Sequence, residues 1–342
     1  MRARGIVTAA TAAAAVAAVG FIVGPGGTSA AVSCTRYASP TGSDTAAGTT
    51  TAPYRTVNKL VASLAAGQTG CLKAGTYTGG ARFDHGGAPG SPITLTRDPA
   101  SASRAVVAGR FYVTDAANDV VVSHIFIDGR GGGAGTPVVN GDRITFQGNE
   151  VTNFNTAICF ILGNSSFGRA RDVVLDGNRI HNCGVIPRTN MDHGVYVAAA
   201  DRTIIRNNYI YDNADRGVQL YPDAQGTLIA NNVIDGNGEG IIFSGEGATT
   251  SNNNVARDNV ITNAQVRFNV ESYWPSAVGR GNVVDHNCVF GGRQGNIQSP
   301  RGFTATNNII ADPLYVNRTG KDFRLRTGSP CAGMGPLVIP GA

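Results

Sequence analysis

The side chains best suited to proton transfer or to holding a charged ligand gather in residues 192 to 247 of this 342-residue chain. Three copies of one phrase stand there: His193-Gly194-Val195-Tyr196-Val197, Arg216-Gly217-Val218-Gln219-Leu220 and Glu239-Gly240-Ile241-Ile242-Phe243. One chemistry these residue types allow is β-elimination on a uronate. A cation and an amide neutralise the sugar carboxylate, a base removes the C5 proton, and an acid assists the departing glycosidic oxygen. On this reading the catalytic set is His193, Arg216 and Tyr221. Arg216 and Gln219 meet the carboxylate, and Tyr221 or His193 carries protons. A second chemistry is glycoside hydrolysis by Asp223, Glu246 and Glu271. Adjacent turns would hold Asp223 and Glu246 about 5 Å apart, as a retaining pair requires, and would leave Asp223 and Glu271 about 10 Å apart, near the inverting range. The same three carboxylates offer hard oxygen ligands to Ca²⁺, the one cofactor the sequence suggests.

Such groups act together only if the backbone brings them to one face. The phrases alternate apolar and polar residues with period two, which is strand patterning, and no helical stripe fits them. A strand-turn-strand unit recurring every twenty-odd residues cannot bury its apolar face alone, so successive units must stack into a solenoid. The repeat can be counted on His124 (a substitute), Asn149, Asn178, Asn208, Asn232, Asn259, Asn287 and Asn308, spaced 21 to 30 residues apart. An amide row at tight turns is read as a structural ladder. Aligning the inward pairs Ile158/Phe160, Val195/Val197, Val218/Leu220, Ile241/Phe243 and Val266/Phe268 sends the residues between them outward. The first outward column reads Cys159, Tyr196, Gln219, Ile242, Arg267. The second reads Ile161, Ala198, Tyr221, Ser244, Asn269, and a third, at the strand exit, Gly163, Ala200, Asp223, Glu246, Glu271. His193, Arg216 and Glu239 line the strand entrance. Insertions at 181–192 and 271–281 border this face and suggest a groove, with Arg188, Asp192, Tyr196, Gln219, Arg267 and Trp274 as substrate contacts. Each candidate has a plainer alternative. His193 can bond backbone, Tyr196 can stack on the surface, Arg216 beside Glu239 can be an ion pair worth under about 1 kcal/mol, and the acids can be idle turn residues.

Residues 1–30 read as a secretory signal: Arg2 and Arg4, an Ala/Val-rich run to Val23, then Thr28-Ser29-Ala30. Removing them lowers the formal charge from +5 to +3, too small a balance to indicate nucleic acid or a membrane as partner. The lysines are Lys59, Lys73 and Lys321, so the central coils hold none. Six cysteines in an exported chain suggest three disulfides. Fifteen pairings are possible, and stacking favours Cys34 with Cys71, Cys159 with Cys183, and Cys288 with Cys331. Residues 31–80 form an entry segment whose helix, Tyr54 to Ala66, carries Val57, Leu60, Val61 and Leu64 on one face and would plug the open end of the solenoid. Residues 81–342 continue as the solenoid and its closing segment, one structural domain with 31–80.

YASPTGSD, APYRTVNKLVASL and CLKAGTYTG within residues 34–80 resemble the entry segment of secreted right-handed parallel β-helix proteins of the pectate-lyase-like superfamily. Asp312-Pro313-Leu314, Asp322-Phe323-Arg324-Leu325 and Gly328-Ser329-Pro330 resemble their closing segment. The resemblance implies an all-β, single-stranded right-handed parallel β-helix with a short N-terminal capping helix. It further implies a secreted monomer acting on an acidic polysaccharide. Lyases of this kind often use a lysine or arginine base with calcium. The absence of lysine from the central coils excludes a lysine base and leaves arginine, tyrosine or histidine. RGVQLYPDA is similar to the region around the Asp-Pro-His motif of mannuronan C5-epimerases, but Gln219, Leu220 and Tyr221 stand at the matching positions, so epimerisation itself is not expected. The reading is a polysaccharide lyase, with a glycoside hydrolase or a non-catalytic glycan-binding or surface-structural solenoid as alternatives.

Overall fold

In the computed structural model, which describes residues 32–340, successive coils stack their strands in parallel into three sheets of eleven, eleven and nine strands, the short Thr249–Thr250 strand alone pairing antiparallel, with Glu239–Glu246. The signal read over residues 1–30 lies outside the described residues. The corners follow from residue types that tolerate positive φ. His124, Gly148, Gly177, Asn207, Asn231, Asp258, His286 and Asn307 all occupy the left-handed region at one corner, with φ of 52–65°. There Asn, Asp and Gly are the least strained choices. One of the next residues is the ladder amide. Asn178, Asn208, Asn232, Asn259, Asn287 and Asn308 each accept, through Oδ1, from the side-chain Nδ2 of the amide one coil before, at 2.9–3.0 Å, starting with Asn149 donating to Asn178. His124 is not a ladder substitute. It fills the positive-φ position, and the ladder starts where the Ile125 amide donates to Asn149 Oδ1. Two further amide rows stand at the other corners, Asn213–Asn237 and Asn254–Asn282.

Inside, every second strand residue is apolar, and like side chains stack on like. Phe83, Phe111, Phe146 and Phe160 run through the core with ring centroids 5.0–5.7 Å apart. The disulfides are Cys34–Cys71, Cys159–Cys183 and Cys288–Cys331, as the stacking argument expects.

The helix is shorter than the periodicity suggests. It spans Val57–Ala62, capped by Thr56, whose Oγ1 accepts from the Lys59 amide, and ended at Ser63, whose hydroxyl bonds the Leu60 carbonyl. Val57, Leu60, Val61 and Leu64 are nevertheless all buried, so the apolar stripe continues past the helix. A single turn and a half is a small element, and the longer capping helix is not present. The closing segment is built from a hairpin and the chain that follows it. Tyr315–Asn317 and Asp322–Leu325 pair as an antiparallel hairpin, and Tyr315, Phe323, Cys331 and Met334 pack on Tyr209, Tyr211, Val233 and Val260. The tail lies along the flank of the coils rather than across their end.

Candidate functional site

The central phrases pair in the expected register. His193, Arg216 and Glu239 are partners on successive coils, as are Tyr196, Gln219 and Ile242. The outer ends do not follow. Phe160 pairs with Val195, so Ile161, not Cys159, continues the tyrosine column, and Cys159 faces inward in its disulfide. At the other end Val270 pairs with Ile241 and Glu271 with Ile242. This four-residue shift takes Arg267 out of the first column and Glu271 out of the Asp223–Glu246 set. Insertions ahead of each phrase lengthen the turns, so the strand begins later than an apolar pair alone indicates.

A bulge then shapes the face. Val197 pairs with Leu220 and Ala199 with Asp223, so Tyr221 and Pro222 both stand opposite Ala198. Extra residues of this kind re-aim side chains, and here the Tyr221 ring stacks on Tyr196, at 6.3 Å and 18°. Two cavities meet at this pair. The inner one, about 430 Å³, is lined by His193, Arg216, Gln219, Ser244 and Tyr273 with Asn190 and Met191. The outer one, about 670 Å³, is lined by Asn164, Ser165, Arg169, Asp223, Glu246 and Thr249. Tyr196 and Tyr221 belong to both.

The inner cavity holds polar atoms that the protein itself does not satisfy. His193 is 2% exposed, with its Nδ1 enclosed and without a partner, and Gln219 Oε1 is likewise orphaned. A buried polar atom without a partner is costly unless a ligand or water meets it. Burial, with the Arg216 charge adding to it, holds the His193 imidazole well below its ordinary pKa; the Asp192 backbone opposes this weakly. His193 is therefore a neutral base at physiological pH. Tyr196 is raised to about 12 by burial, then by Tyr221 and Glu246, and Tyr221 is raised by burial and by the Glu246 carboxylate beside it. Both phenols keep their protons.

Beneath this surface runs an ionic array. Arg216 Nε lies 2.7 Å from Glu239 Oε2, both side chains nearly fully buried, though the N–H is not aligned for a hydrogen bond. Asn190 accepts from the other end of the guanidinium through its carbonyl and, at 2.7 Å, its side-chain oxygen. Arg267 Nε contacts Glu271 at 3.0 Å and Glu239 at 3.9 Å. Burial and the neighbouring Glu239 carboxylate push Glu271 up to about 8. Arg216 and Glu239 thus form the foreseen ion pair, but a buried one, and such pairs are costly to break from one side.

The remaining candidates sit elsewhere. Trp274 is buried, donating its Nε1–H to the Arg301 carbonyl at 2.8 Å, and its exposed neighbour Tyr273 lines the cavity instead. Strand alternation decides between the two, and their order alone does not reveal it. Arg188 bonds the Ala214 carbonyl and Gln265, and Asp192 accepts from Thr189, so both brace the 181–192 insertion rather than line the groove. The calcium arrangement does not assemble. Asp223 is held by Arg169 at 2.6 Å and Glu271 is buried against Arg267. Among the described residues no group of three or more His, Cys, Asp or Glu side chains is placed to hold a metal ion. Sequence reasoning missed Arg169 and Asn190, and in the 271–281 wall it took Trp274 rather than Tyr273 as the contact. Arg169 precedes a strand unrelated to the repeated phrases, and Asn190 sits in an insertion without periodicity.

A family model for the right-handed β-helix region matches residues 111–310, more than half of the chain, and the chain belongs to that family. No curated protein sequence matches significantly. Among solved structures, the pectate lyase Pel9A aligns with a TM-score of 0.62 at 18% identity, covering 88% of this chain and 91% of its own. A rhamnogalacturonan lyase aligns at 0.59 and 14%, covering 90% and 96%. An alginate lyase from Paenibacillus sp. str. FPU-7 aligns at 0.50 and 15%, covering 75% and 96%. At these identities the likeness is one of fold.

Proposed function

We propose that the protein is a secreted, monomeric polysaccharide lyase that cleaves a uronate-containing glycan by β-elimination in the inner cavity. The observation that carries this reading is the meeting of a neutral imidazole and a protonated phenol, His193 and Tyr221, beside Arg216 and Gln219 in one cavity. Environments that push two titratable groups in opposite directions mark out a base and an acid. The sugar carboxylate lies against Arg216 and Gln219, which stabilise the charge that develops as C5 loses its proton. His193 takes that proton. The electron pair forms the C4–C5 double bond, the C4–O bond breaks, and the leaving oxygen receives the Tyr221 proton. Stacked Tyr196 and Tyr221 give the apolar face of a pyranose a platform. The fold shared with pectate, rhamnogalacturonan and alginate lyases supports the reading at the level of architecture, and three disulfides agree with an oxidising, extracellular setting.

Purified protein incubated with a panel of uronate glycans is expected to generate the ultraviolet absorbance of an unsaturated uronate. His193→Ala and Tyr221→Phe should each lower kcat by on the order of 10²- to 10⁴-fold, the usual worth of a proton-transfer group. Full turnover by both variants overturns the assignment. New reducing ends without the chromophore would point instead to hydrolysis by Asp223 and Glu246, which share the outer cavity. Retention on the glycan with neither signal would make the protein a binding module.

A further inference from the structure

The two cavities that meet at Tyr196 and Tyr221 differ in the charge they present. The inner one offers Arg216 and no carboxylate at its surface, because Glu239 is 2% exposed behind the guanidinium. With Glu271 holding its proton up to about pH 8, Arg216 and Arg267 exceed the buried carboxylates by one charge. The orphaned Gln219 Oε1 and His193 Nδ1 mark this same cavity as built for a ligand.

The outer cavity is the opposite. Asp223 and Glu246 line it, and its single cation, Arg169, is already committed, at 2.6 Å to Asp223 and at 2.8 Å to Asp201. Glu246 is exposed and makes no ion pair among the described residues. A carboxylate placed here meets net negative charge, whereas sugar hydroxyls meet acceptors.

Resting on the lyase reading of the inner cavity, we propose that the groove selects a heteropolysaccharide in which the uronate at the inner cavity is joined to a sugar without a carboxylate at the outer one, and disfavours homopolymers of uronates. The stacked tyrosines take the apolar faces of both units. Specificity then arises from a repulsive element in the outer cavity together with the attractive one in the inner cavity.

The test compares kcat/KM, followed by unsaturated-product absorbance, on polygalacturonate and polyglucuronate against hyaluronan and rhamnogalacturonan backbone, with affinity electrophoresis on the same glycans as a readout free of turnover. At least one alternating glycan is expected to be preferred by about tenfold or more, since two carboxylates face the second unit. The preference should shrink as salt is added. Glu246→Gln, at an exposed position outside every ladder, is expected to raise kcat/KM on the homopolymers about fivefold, the effect of one unit charge a few ångströms away in well-solvated surroundings. Asp223→Asn should act in the same direction. Homopolymers cleaved and bound as well as the alternating glycans, or a Glu246→Gln variant with unchanged preference, overturn the specificity while leaving the lyase reading intact. If no uronate glycan is bound or cleaved, the lyase reading fails and the specificity fails with it.

Discussion

Glu271 shows how a residue without groove contact can govern one that has it. Its carboxyl is fully buried between Glu239 and Arg267 and is shifted up to about 8 from a reference of 4.5. Folding therefore retains a proton that the unfolded chain releases between these two values. In that interval the folded state binds more protons, so stability declines as pH rises from about 4.5 to about 8 and this contribution is flat beyond. Melting temperatures of wild type and Glu271→Gln, compared near pH 5 and near pH 9, should show a shallower fall in the variant. Loss of the same proton removes the excess positive charge behind Arg216, so turnover of a uronate substrate is expected to drop above about pH 8, and less so in Glu271→Gln. The alternation that buries Trp274 and exposes Tyr273 gives a second contrast at this scale. Tyr273→Ala should raise KM several-fold. Trp274→Phe, which loses the bond to the Arg301 carbonyl and part of the buried indole, should cost about 1–4 kcal/mol of stability with little change in KM.

At the level of elements, the amide ladder is the feature on which the corners depend. Asn232 donates to the carbonyls of Ile205 and Ala230 and to Asn259 Oδ1, and accepts from the backbone and side chain of Asn208. Asn232→Ala strands several of these groups in a dry interior and should lower unfolding free energy by about 1–3 kcal/mol or more in denaturant titration. Asn308→Ala, at the half-buried end of the row, should cost less. The ladder was legible in the sequence because its amides recur at one place in each coil, and so was the central register, because His193, Arg216 and Glu239 each open the same Gly-x-x phrase. Register failed at Cys159 and Arg267, where insertions move the start of the strand without altering the apolar pairs that were aligned. It also failed to separate His124 from Ile125, since a turn residue with positive φ and a ladder residue adjoin in every coil. The site was legible in its strands, His193, Tyr196, Arg216, Gln219 and Tyr221. It was opaque in its walls, where Asn190, Arg169 and Tyr273 are placed by loops that carry no repeat.

For the whole molecule, the described residues from Ser33 onward pack as one unit whose cross-coil contacts join neighbours in the stack. No helix among them is long and apolar enough to cross a membrane. Because Asp223 is tied to Arg169 and Glu271 is enclosed with Arg267, chelators are expected to change neither turnover nor melting temperature. A loss of activity in chelator that calcium restores would require a set of ligands other than the three carboxylates.

In the long asparagine row every amide-to-amide bond runs from the side-chain N–H of one coil to the Oδ1 of the coil that follows, while the carbonyl that each side-chain N–H also meets belongs to the coil before. The rod therefore has a head and a tail at the level of its hydrogen bonding, and a foreign coil fits only when spliced in whole and facing the same way. Lengthening the protein is thus a matter of copying an entire winding. Such copies can be added beyond the cleft on either side, whereas one inserted between Tyr196 and Gln219 would part the two halves of the pocket.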